Sequence, residues 1–180
     1  MSKYDFEDKT ESDNIVFVDD FSITGSQSEW YIKQYLNQHP KNKTKNFYVV
    51  LMVSTQEAIN KIKSITAVKD VLPCIIMDSS SKVFSDESII FQGYSQELKE
   101  QAKEICQYYG ELIVSEEDKK SGATALGFGG GGYLLGAYYN TPNNTLPIFW
   151  SEENSWQPIF RRYDKNYRNN SKVRLGGQYV

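Results

Sequence analysis

Three mostly apolar runs, each followed by a segment with helical spacing, organise the first part of the chain. The runs cover residues 14–19, 46–53 and 71–77 and are rich in the branched and aromatic side chains that strands favour. The second run, NFYVVLMV, is nearly continuous, which predicts a strand buried on both faces of a parallel sheet. Repeated strand–helix alternation predicts an α/β fold with a doubly wound, mainly parallel sheet.

Helical spacing predicts three helices. The first covers residues 28–38, the second follows a Thr55 cap, and the third follows a Ser95 cap and is closed by Gly110. The apolar positions of the three helices are Ile32, Tyr35, Leu36 and His39; Ile59, Ile62 and Ile65; and Leu98, Ala102, Ile105, Cys106 and Tyr109. We expect these positions to form the core-facing side of each helix.

Composition narrows the class of protein. Of the 180 residues, 39% are apolar and 24% are charged, which is typical of one globular domain. The net charge of −3 provides no global basic field that would recruit nucleic acid. No apolar stretch approaches the roughly 20 residues that span a bilayer. The acidic start is unlike a signal peptide, so we expect a cytoplasmic protein.

Cysteine and histidine usage limits the available chemistry. Cys74 and Cys106 lie in apolar sequence surroundings and are predicted to be reduced core thiols, although a disulfide between them stays open. The only histidine, His39, lies in a turn-rich segment and is expected at a helix end or in a loop. Catalysis by histidine pairs and His-rich zinc sites are therefore nearly excluded.

The strongest candidate site lies in residues 15–27, IVFVDDFSITGSQ. An apolar run leads into Asp19 and Asp20, and a small-residue turn follows before a helix begins. The turn consists of Thr24, Gly25, Ser26 and Gln27. Backbone N–H groups at such a turn attract phosphate, and the carboxylates can accept hydrogen bonds from ribose hydroxyls or hold a cation. The alternative is an ordinary strand–helix turn with a charged cap.

The later part of the chain has a different character. Gly127, Gly129 and Gly132 formally match GxGxxG, but no strand is predicted before them, which favours a glycine-rich bend at a sheet edge. The segment YYNTPNNTLPIFW combines amide groups with flat apolar rings; these residues are Asn140, Asn143, Asn144, Tyr139, Phe149 and Trp150. The mix suits recognition of a planar base, and a turn-rich aromatic cover over the sheet is an equally good interpretation.

The 15–27 segment resembles the loop of type I phosphoribosyltransferases that binds phosphoribosyl pyrophosphate (PRPP). The resemblance implies that Thr24, Gly25, Ser26 and Gln27 cradle the 5′-phosphate. It also implies that Asp19 and Asp20 face the ribose 2′- and 3′-hydroxyls, as catalytic carboxylates working with Mg²⁺. Purine-type members often carry a carboxylate just before the Thr-Gly pair, and this chain has Ile23 there. A purine-type proton-transfer role at this position is therefore not supported.

Together with NTPNNTLPIFW, the loop resembles phosphoribosyltransferase-like proteins of bacterial conflict and anti-phage gene clusters, over about residues 14–162. The resemblance implies binding of PRPP or a nucleotide through residues 19–27, with Asn140, Asn143 and Asn144 near the base. It further implies a subunit of a defence complex. The alternative is a non-catalytic PRPP or nucleotide sensor, or an interaction module, in such a complex.

The chain also departs from that family, because only about 14 residues precede the loop. Type I members carry a pyrophosphate-binding loop and a mobile closing loop before it. A partner chain could supply the missing half, the chain could be a fragment or have an alternative start, or it could bind without catalysing. An incomplete sheet would expose an edge, so we expect a protein partner or a homo-oligomer.

The two ends of the chain carry opposite charge. Residues 1–13 are predicted to be an acidic tail, 14–160 the α/β domain, and 161–180 a basic tail with six Lys or Arg against one Asp. The basic tail is interpreted as a solvated segment, with contact to ligand or nucleic-acid phosphates, or to a partner's acidic surface, as alternatives.

Overall fold

A computed structural model describes residues 12–137 and 140–160, and its centre is a three-stranded parallel sheet. The strands lie in the order β1 (Asn14–Ser22), β2 (Asn46–Thr55) and β3 (Val68–Met77). Val18 pairs with Val50, and Val50 with Leu72. The predicted α/β class with a parallel sheet is confirmed, and each strand is longer than its apolar run.

Helices α1 (Ser26–Gln38) and α2 (Gln56–Lys63) connect the strands. The strand order follows the chain and crossovers between parallel strands are right-handed, so both helices lie on the same face of the sheet. The core between this face and the two helices consists of Ile32, Leu36, Phe47, Val49, Leu51, Ile59, Ile62, Ile65, Val68 and Val71. The predicted core-facing sides are therefore confirmed for Ile32, Leu36, Ile59, Ile62 and Ile65, whereas Tyr35 packs at the edge of the core and His39 lies outside it.

The opposite face of the sheet is exposed. Val16, Val18, Met52, Leu72 and Ile76 are between 49% and 64% exposed, and Cys74 is exposed beside them. The prediction that residues 46–53 are buried on both faces was wrong for this side, as was the core position of Cys74. Apolar sequence makes a strand suitable for burial, but it does not say whether a second layer is present.

The third helix, α3 (Gln96–Ile113), buries a side that sequence did not predict. Its buried residues are Lys99, Gly110 and Ile113, while Leu98, Ile105 and Tyr109 of the predicted apolar stripe are exposed. The prediction that Gly110 ends the helix was also wrong. Gly110 lies inside the helix, and its role is in packing. Because it has no side chain, Ala125 can approach closely; an added Cβ would lie 2.3 Å from the Ala125 carbonyl oxygen.

The elements that follow α3 in the chain form a smaller unit with it. Helix α4 (Glu116–Lys120) leads into a hairpin of β4 (Ala123–Thr124) and β5 (Gly127–Phe128). Short 3₁₀ turns at Pro147–Phe149 and Glu153–Ser155 pack against α3. The predicted caps are confirmed, since the Ala58 N–H donates to Thr55 Oγ1 and the Leu98 N–H to Ser95 Oγ, both at 3.2 Å.

Three smaller expectations can be placed on the structure. His39 lies at the end of α1, as predicted, and Cys74 and Cys106 are free thiols, with Cys106 half-buried. Within the described ranges, no helix is both long enough and apolar enough to cross a membrane. The basic tail 161–180 and most of the acidic tail 1–13 lie outside the described residues.

Candidate functional site

The loop of residues 23–27 follows the carboxyl end of β1 and includes the first two residues of α1. Gly25 precedes the helix with φ +71°, a left-handed conformation that favours glycine. A Cβ at this position would also lie 3.0 Å from the Ala58 carbonyl oxygen of α2. The close approach of α2 and the backbone conformation therefore both require glycine in this loop.

Hydroxyl groups at the end of β2 hold the loop in place. Ser54 Oγ donates to the Ser22 carbonyl oxygen at 2.9 Å, and Thr55 Oγ1 donates to the Ile23 carbonyl oxygen at 2.5 Å. On either side of the loop, the buried hydroxyls of Ser22 in β1 and Ser28 in α1 lie 2.9 Å apart. The loop is thus tied to the neighbouring strand and to its own helix, which pre-organises its backbone N–H groups.

The N-terminus of α1 is open to a ligand in a way that the other α-helices of the described residues are not. Helices α2, α3 and α4 are capped by the hydroxyls of Thr55, Ser95 and Ser115, whereas the cap of α1 is Gly25, which has no side chain. The first N–H groups of a helix have no partner within the helix and carry partial positive charge. This terminus is therefore suited to an anion.

Lys61 adds a positive charge to the loop. Its Nζ donates to Ser26 Oγ at 2.8 Å and lies 3.7 Å from Glu29 Oε2. Sequence reasoning missed Lys61, which is 35 residues from Ser26 and belongs to α2. No local pattern marks this lysine, because only the packing of α2 beside the loop brings the two side chains together.

Asp19 and Asp20 lie within β1, whose last residue is Ser22, and occupy successive positions. Successive strand residues point to opposite faces, so Asp19 shares the helix-covered face of Leu51 and Asp20 shares the open face. Asp19 Oδ1 accepts the Asp20 N–H at 3.1 Å, and Asp20 Oδ1 accepts the Phe21 N–H at 2.8 Å.

The two carboxylates also differ electrostatically. Burial raises the pKa of Asp19 above its ordinary value of 3.8, and the negative charge of Asp20 raises it as well. Asp20 instead has an amide partner from the far end of the sequence: Asn140 Nδ2 donates to Asp20 Oδ2 at 2.9 Å. This contact spans 120 residues and joins the two segments that the sequence singled out.

The Asn140–Asn144 tract is anchored on the β4–β5 hairpin. The Phe128 N–H donates to the Asn143 carbonyl oxygen at 2.8 Å, and Asn144 Nδ2 donates to the Phe128 carbonyl oxygen at 3.2 Å. Trp150 is buried, and its indole N–H donates to the Thr145 carbonyl oxygen at 2.8 Å. Asn144 and Trp150 therefore stabilise the tract itself.

The glycines before this tract form bends. Gly127, Gly129, Gly130 and Gly132 all have positive φ, and the segment leads into isolated bridges at Tyr133 and Ala137 rather than into a helix. The bend interpretation is therefore confirmed over a dinucleotide-binding turn, which needs a following helix. The bend belongs to the small hairpin and not to the edge of the three-stranded sheet.

The loop and the tract line one cavity of about 150 Å³. The residues around it are Asp20, Phe21, Ser22, Ile23, Thr24, Gly25, Ser26, Gln27, Phe128, Asn140, Pro142, Asn143 and Asn144. Asp19, Phe149 and Trp150 are not among them, and Tyr139 lies outside the described residues. Sequence reasoning missed Phe128, whose apolar ring is in a segment that was considered only for its glycines.

A larger hollow of about 470 Å³ lies elsewhere, at the N-terminus of α3, and is lined by residues between Ser85 and Lys99. The buried Lys99 Nζ lies 3.3 Å from both Asp86 Oδ1 and the Ser85 carbonyl oxygen. The lysine is thus paired within its own segment, and no predicted site residue borders this hollow. The smaller cavity at the loop is the candidate site.

Comparison with known proteins agrees with this architecture. A parallel α/β sheet with a glycine turn between the carboxyl end of β1 and α1 is consistent with a phosphoribosyltransferase-like protein. The sequence matches the family PRTase-CE over residues 1–162, and the chain belongs to this family. No curated protein and no solved structure gives a significant match to the chain.

Proposed function

We propose that the chain binds PRPP or a nucleotide in the cavity between the 23–27 loop and the Asn140–Asn144 tract. The observation that carries the proposal is the 2.9 Å hydrogen bond from Asn140 to Asp20, through which two distant segments line one pocket. Membership of a phosphoribosyltransferase-like family supports the same class of ligand. The cavity lies at the carboxyl ends of the strands, where open α/β sheets bind ligands.

The 5′-phosphate would sit on the loop. Thr24, Gly25, Ser26 and Gln27 would offer backbone N–H groups and hydroxyls, and the positive end of the α1 dipole attracts the anion. Lys61 would move from its contact with the Ser26 hydroxyl to the phosphate, because a hydrogen bond between two charged groups is stronger than its present bond to an uncharged oxygen.

The sugar and base would extend from the loop toward the tract. Asp20, which lines the cavity, would accept hydrogen bonds from ribose hydroxyls, while Asp19 would support it from the buried face of β1. Asn140 and Asn143 offer amide groups for the edge of a base, and the Phe128 ring offers an apolar surface. Asn144 contributes by holding Phe128 through its side chain.

Mg²⁺ remains part of the proposal, with Asp20, which lines the pocket, as its carboxylate; Asp19, the other predicted ligand, points to the opposite face of β1 and would act only through Asp20. In nucleotide sites Mg²⁺ takes one or two carboxylates and completes its shell with phosphate oxygens and water. Within the described ranges no group of three or more His, Cys, Asp or Glu could hold a metal, so the fit depends on oxygens of the ligand. When bound, Mg²⁺ would neutralise charge on the pyrophosphate.

We place this binding in a cytoplasmic bacterial defence complex, with two alternatives for the chemistry. In the first, a partner or second copy completes the reacting centre, and the assembly transfers the phosphoribosyl group or breaks down PRPP or a nucleotide. In the second, the chain is a sensor that binds without turnover. Consumption of PRPP by an assembly would favour the first alternative, and tight binding without consumption would favour the second.

Calorimetric titration of PRPP with Mg²⁺ tests the proposal. The wild type should bind, and Asp20→Asn and Asp19→Asn/Asp20→Asn should lose most of the affinity. Asp13→Asn is the matched control, because it makes the same chemical change just before β1, at the end away from the loop. A folded wild-type protein that produces no binding heat would refute the proposal.

The phosphate position has its own test. Lys61→Gln should weaken PRPP binding about tenfold or more, the loss typical of removing one charged hydrogen bond. Lys63→Gln is the control, since Lys63 is on the same helix and pairs with Asp70 at 2.8 Å, away from the loop. Equal effects of the two changes would mean that Lys61 acts only through general charge.

A further inference from the structure

The face of the three-stranded sheet opposite α1 and α2 exposes a set of apolar side chains. Because the strands pair in parallel register and side chains alternate, every second residue of each strand points to this side. We call it the open sheet face, formed by Val16, Val18, Leu72, Cys74 and Ile76. In the described residues no helix covers it, since α1 and α2 both pack on the opposite side.

Helix α3 also exposes apolar side chains, along one of its sides. Leu98, Ile105, Tyr109 and Leu112 recur at spacings of seven, four and three residues, which places them on one side of the helix. We call this the open helix stripe. Its residues are 43% to 58% exposed, while Lys99 and Gly110 of the neighbouring side are buried. The ring of Tyr109 packs on Trp156 of the same copy, with centroids 5.7 Å apart, and the stripe is most exposed at Ile105, where an amphipathic helix is expected to contact a further surface.

The two surfaces match in chemistry and length. An 18-residue helix is about 27 Å long at 1.5 Å per residue, and strands of nine to ten residues extend about 30 Å. Together they expose on the order of 1,000 Å² of apolar surface, far more than scattered exposed side chains would give. An amount of that order per partner meets the roughly 800 Å² buried in a standard stable interface.

We propose that a second copy of this chain covers the open sheet face with its open helix stripe. Each copy then gives one helix and receives one, so a two-fold dimer closes with both surfaces buried. The copy is the favoured occupant because the same chain carries both halves of the missing contact. The arrangement also supplies the helix layer that a doubly wound sheet has on its second face.

This inference deepens the partner expected under the proposed function and is independent of the ligand. Val16 lies four residues before Asp20, roughly 13 Å along the strand, so the open sheet face can be altered at a distance from the pocket. The two proposals can therefore fail separately: PRPP binding reports on the pocket, and the mass of the particle reports on the dimer.

Sedimentation velocity is the first test. The wild type should sediment as a dimer at micromolar concentration. Val16→Lys on the sheet and Ile105→Lys on the helix should each raise the dimer dissociation constant about 100-fold or more, as charges do in an interface centre. Gln107→Lys is the matched control, because Gln107 is exposed on the far side of α3 from Ile105. A wild-type monomer, or a dimer unaffected by both changes, would overturn the proposal.

Cross-linking tests the orientation and uses the native Cys74 of the open sheet face. In a Cys106→Ser background, Ile105→Cys should give a covalent dimer with a short bismaleimide, and peptide mapping should find residue 105 joined to Cys74. Gln107→Cys should give little of this product, and adding Cys74→Ser should abolish it. A dimer joined through Cys74 to Cys74 would mean that two sheet faces pack together, which contradicts the helix-on-sheet arrangement.

Circular dichroism of each variant separates loss of the dimer from loss of the fold. Val16 and Ile105 are at least half exposed, so their replacement should leave the spectrum unchanged. The Val16→Lys variant should still bind PRPP as the wild type does. Loss of both the dimer and the native spectrum at both positions would refute the view that these side chains are exposed within one copy.

Discussion

The two faces of the central sheet have similar composition and opposite surroundings. On one side Phe47, Val49 and Leu51 are fully buried under α1 and α2. On the other side Val18 and Met52, from the same or the neighbouring strand, are more than half exposed. Residue type alone therefore does not decide burial in this protein. The handedness of the two strand–helix–strand connections decides it, because it sends both helices to one side.

The same contrast recurs in α3 and at the pocket. Helix α3 packs with Lys99 and Gly110 and exposes Ile105, and β1 turns Asp19 toward the covered face and Asp20 toward the open one. Helix α3 and strand β1 thus each place some side chains in a buried environment and others in an exposed one. Substitutions matched across the two sides measure how different those environments are.

The largest expected difference is between Leu51 and Met52. Leu51→Ala should lower the free energy of unfolding by about 2–5 kcal/mol, since it leaves a cavity under the helices. Met52→Ala should change it by less than about 0.5 kcal/mol, as exposed substitutions do. Urea unfolding at low protein concentration measures both. A loss at Met52 that appears only at higher concentration would indicate that a second copy covers this face.

The next difference lies on α3. Gly110→Ala should destabilise the protein by about 1–3 kcal/mol, because the new Cβ would lie 2.3 Å from the Ala125 carbonyl oxygen and the backbone would have to move. This outweighs the gain of up to about 1 kcal/mol from replacing glycine in a helix. Gln107→Ala, on an exposed position of the same helix, is the control in thermal unfolding. A stabilised Gly110→Ala variant would contradict the close packing of α3 on the hairpin.

A smaller, pH-dependent difference is expected between Asp19 and exposed carboxylates. The raised pKa of Asp19 means that the folded state holds this proton more tightly than the unfolded state. The contribution of Asp19 to stability is therefore fully present below its ordinary pKa of 3.8 and is lost as pH rises through the folded pKa.

Asp19→Asn should accordingly gain stability relative to the wild type as pH rises through this window, and the difference should vanish at lower pH. Urea unfolding of both proteins over a pH series measures it, with Asp13→Asn as the control. A difference that grows as the pH falls would have the wrong sign and would contradict burial as the dominant cause.

The smallest effect concerns thiol reactivity. Cys74 on the open sheet face should react with a disulfide reagent about tenfold faster than Cys106 at pH 8, because burial raises the pKa of the Cys106 thiol. Kinetics of the Cys74→Ser and Cys106→Ser variants separate the two rates. Protection of Cys74 that increases with protein concentration would support the proposed dimer, and equal rates at high dilution would contradict the difference in exposure.

Much of the pocket could be predicted from sequence because its first wall is contiguous. Residues Asp20 to Gln27 follow an apolar run and precede a helix, so local rules place them at a strand end. The Asn140–Asn144 tract was also recognisable by its residue types. Phe128, which lines the pocket, and Lys61, which contacts the pocket residue Ser26, were not recognisable, because only packing brings these distant elements to the site.

The sequence by itself determined the parallel α/β class, the three strands, the helix caps at Thr55 and Ser95, and the glycine turn before α1, because apolar periodicity and turn chemistry act over a few residues. Only the tertiary structure decided which sheet face is covered, which side of α3 is buried, and that Asn140 meets Asp20 across 120 residues. Those outcomes depend on the direction in which each connection carries the chain. Many such arrangements satisfy the same local pattern, and packing of the whole chain selects among them.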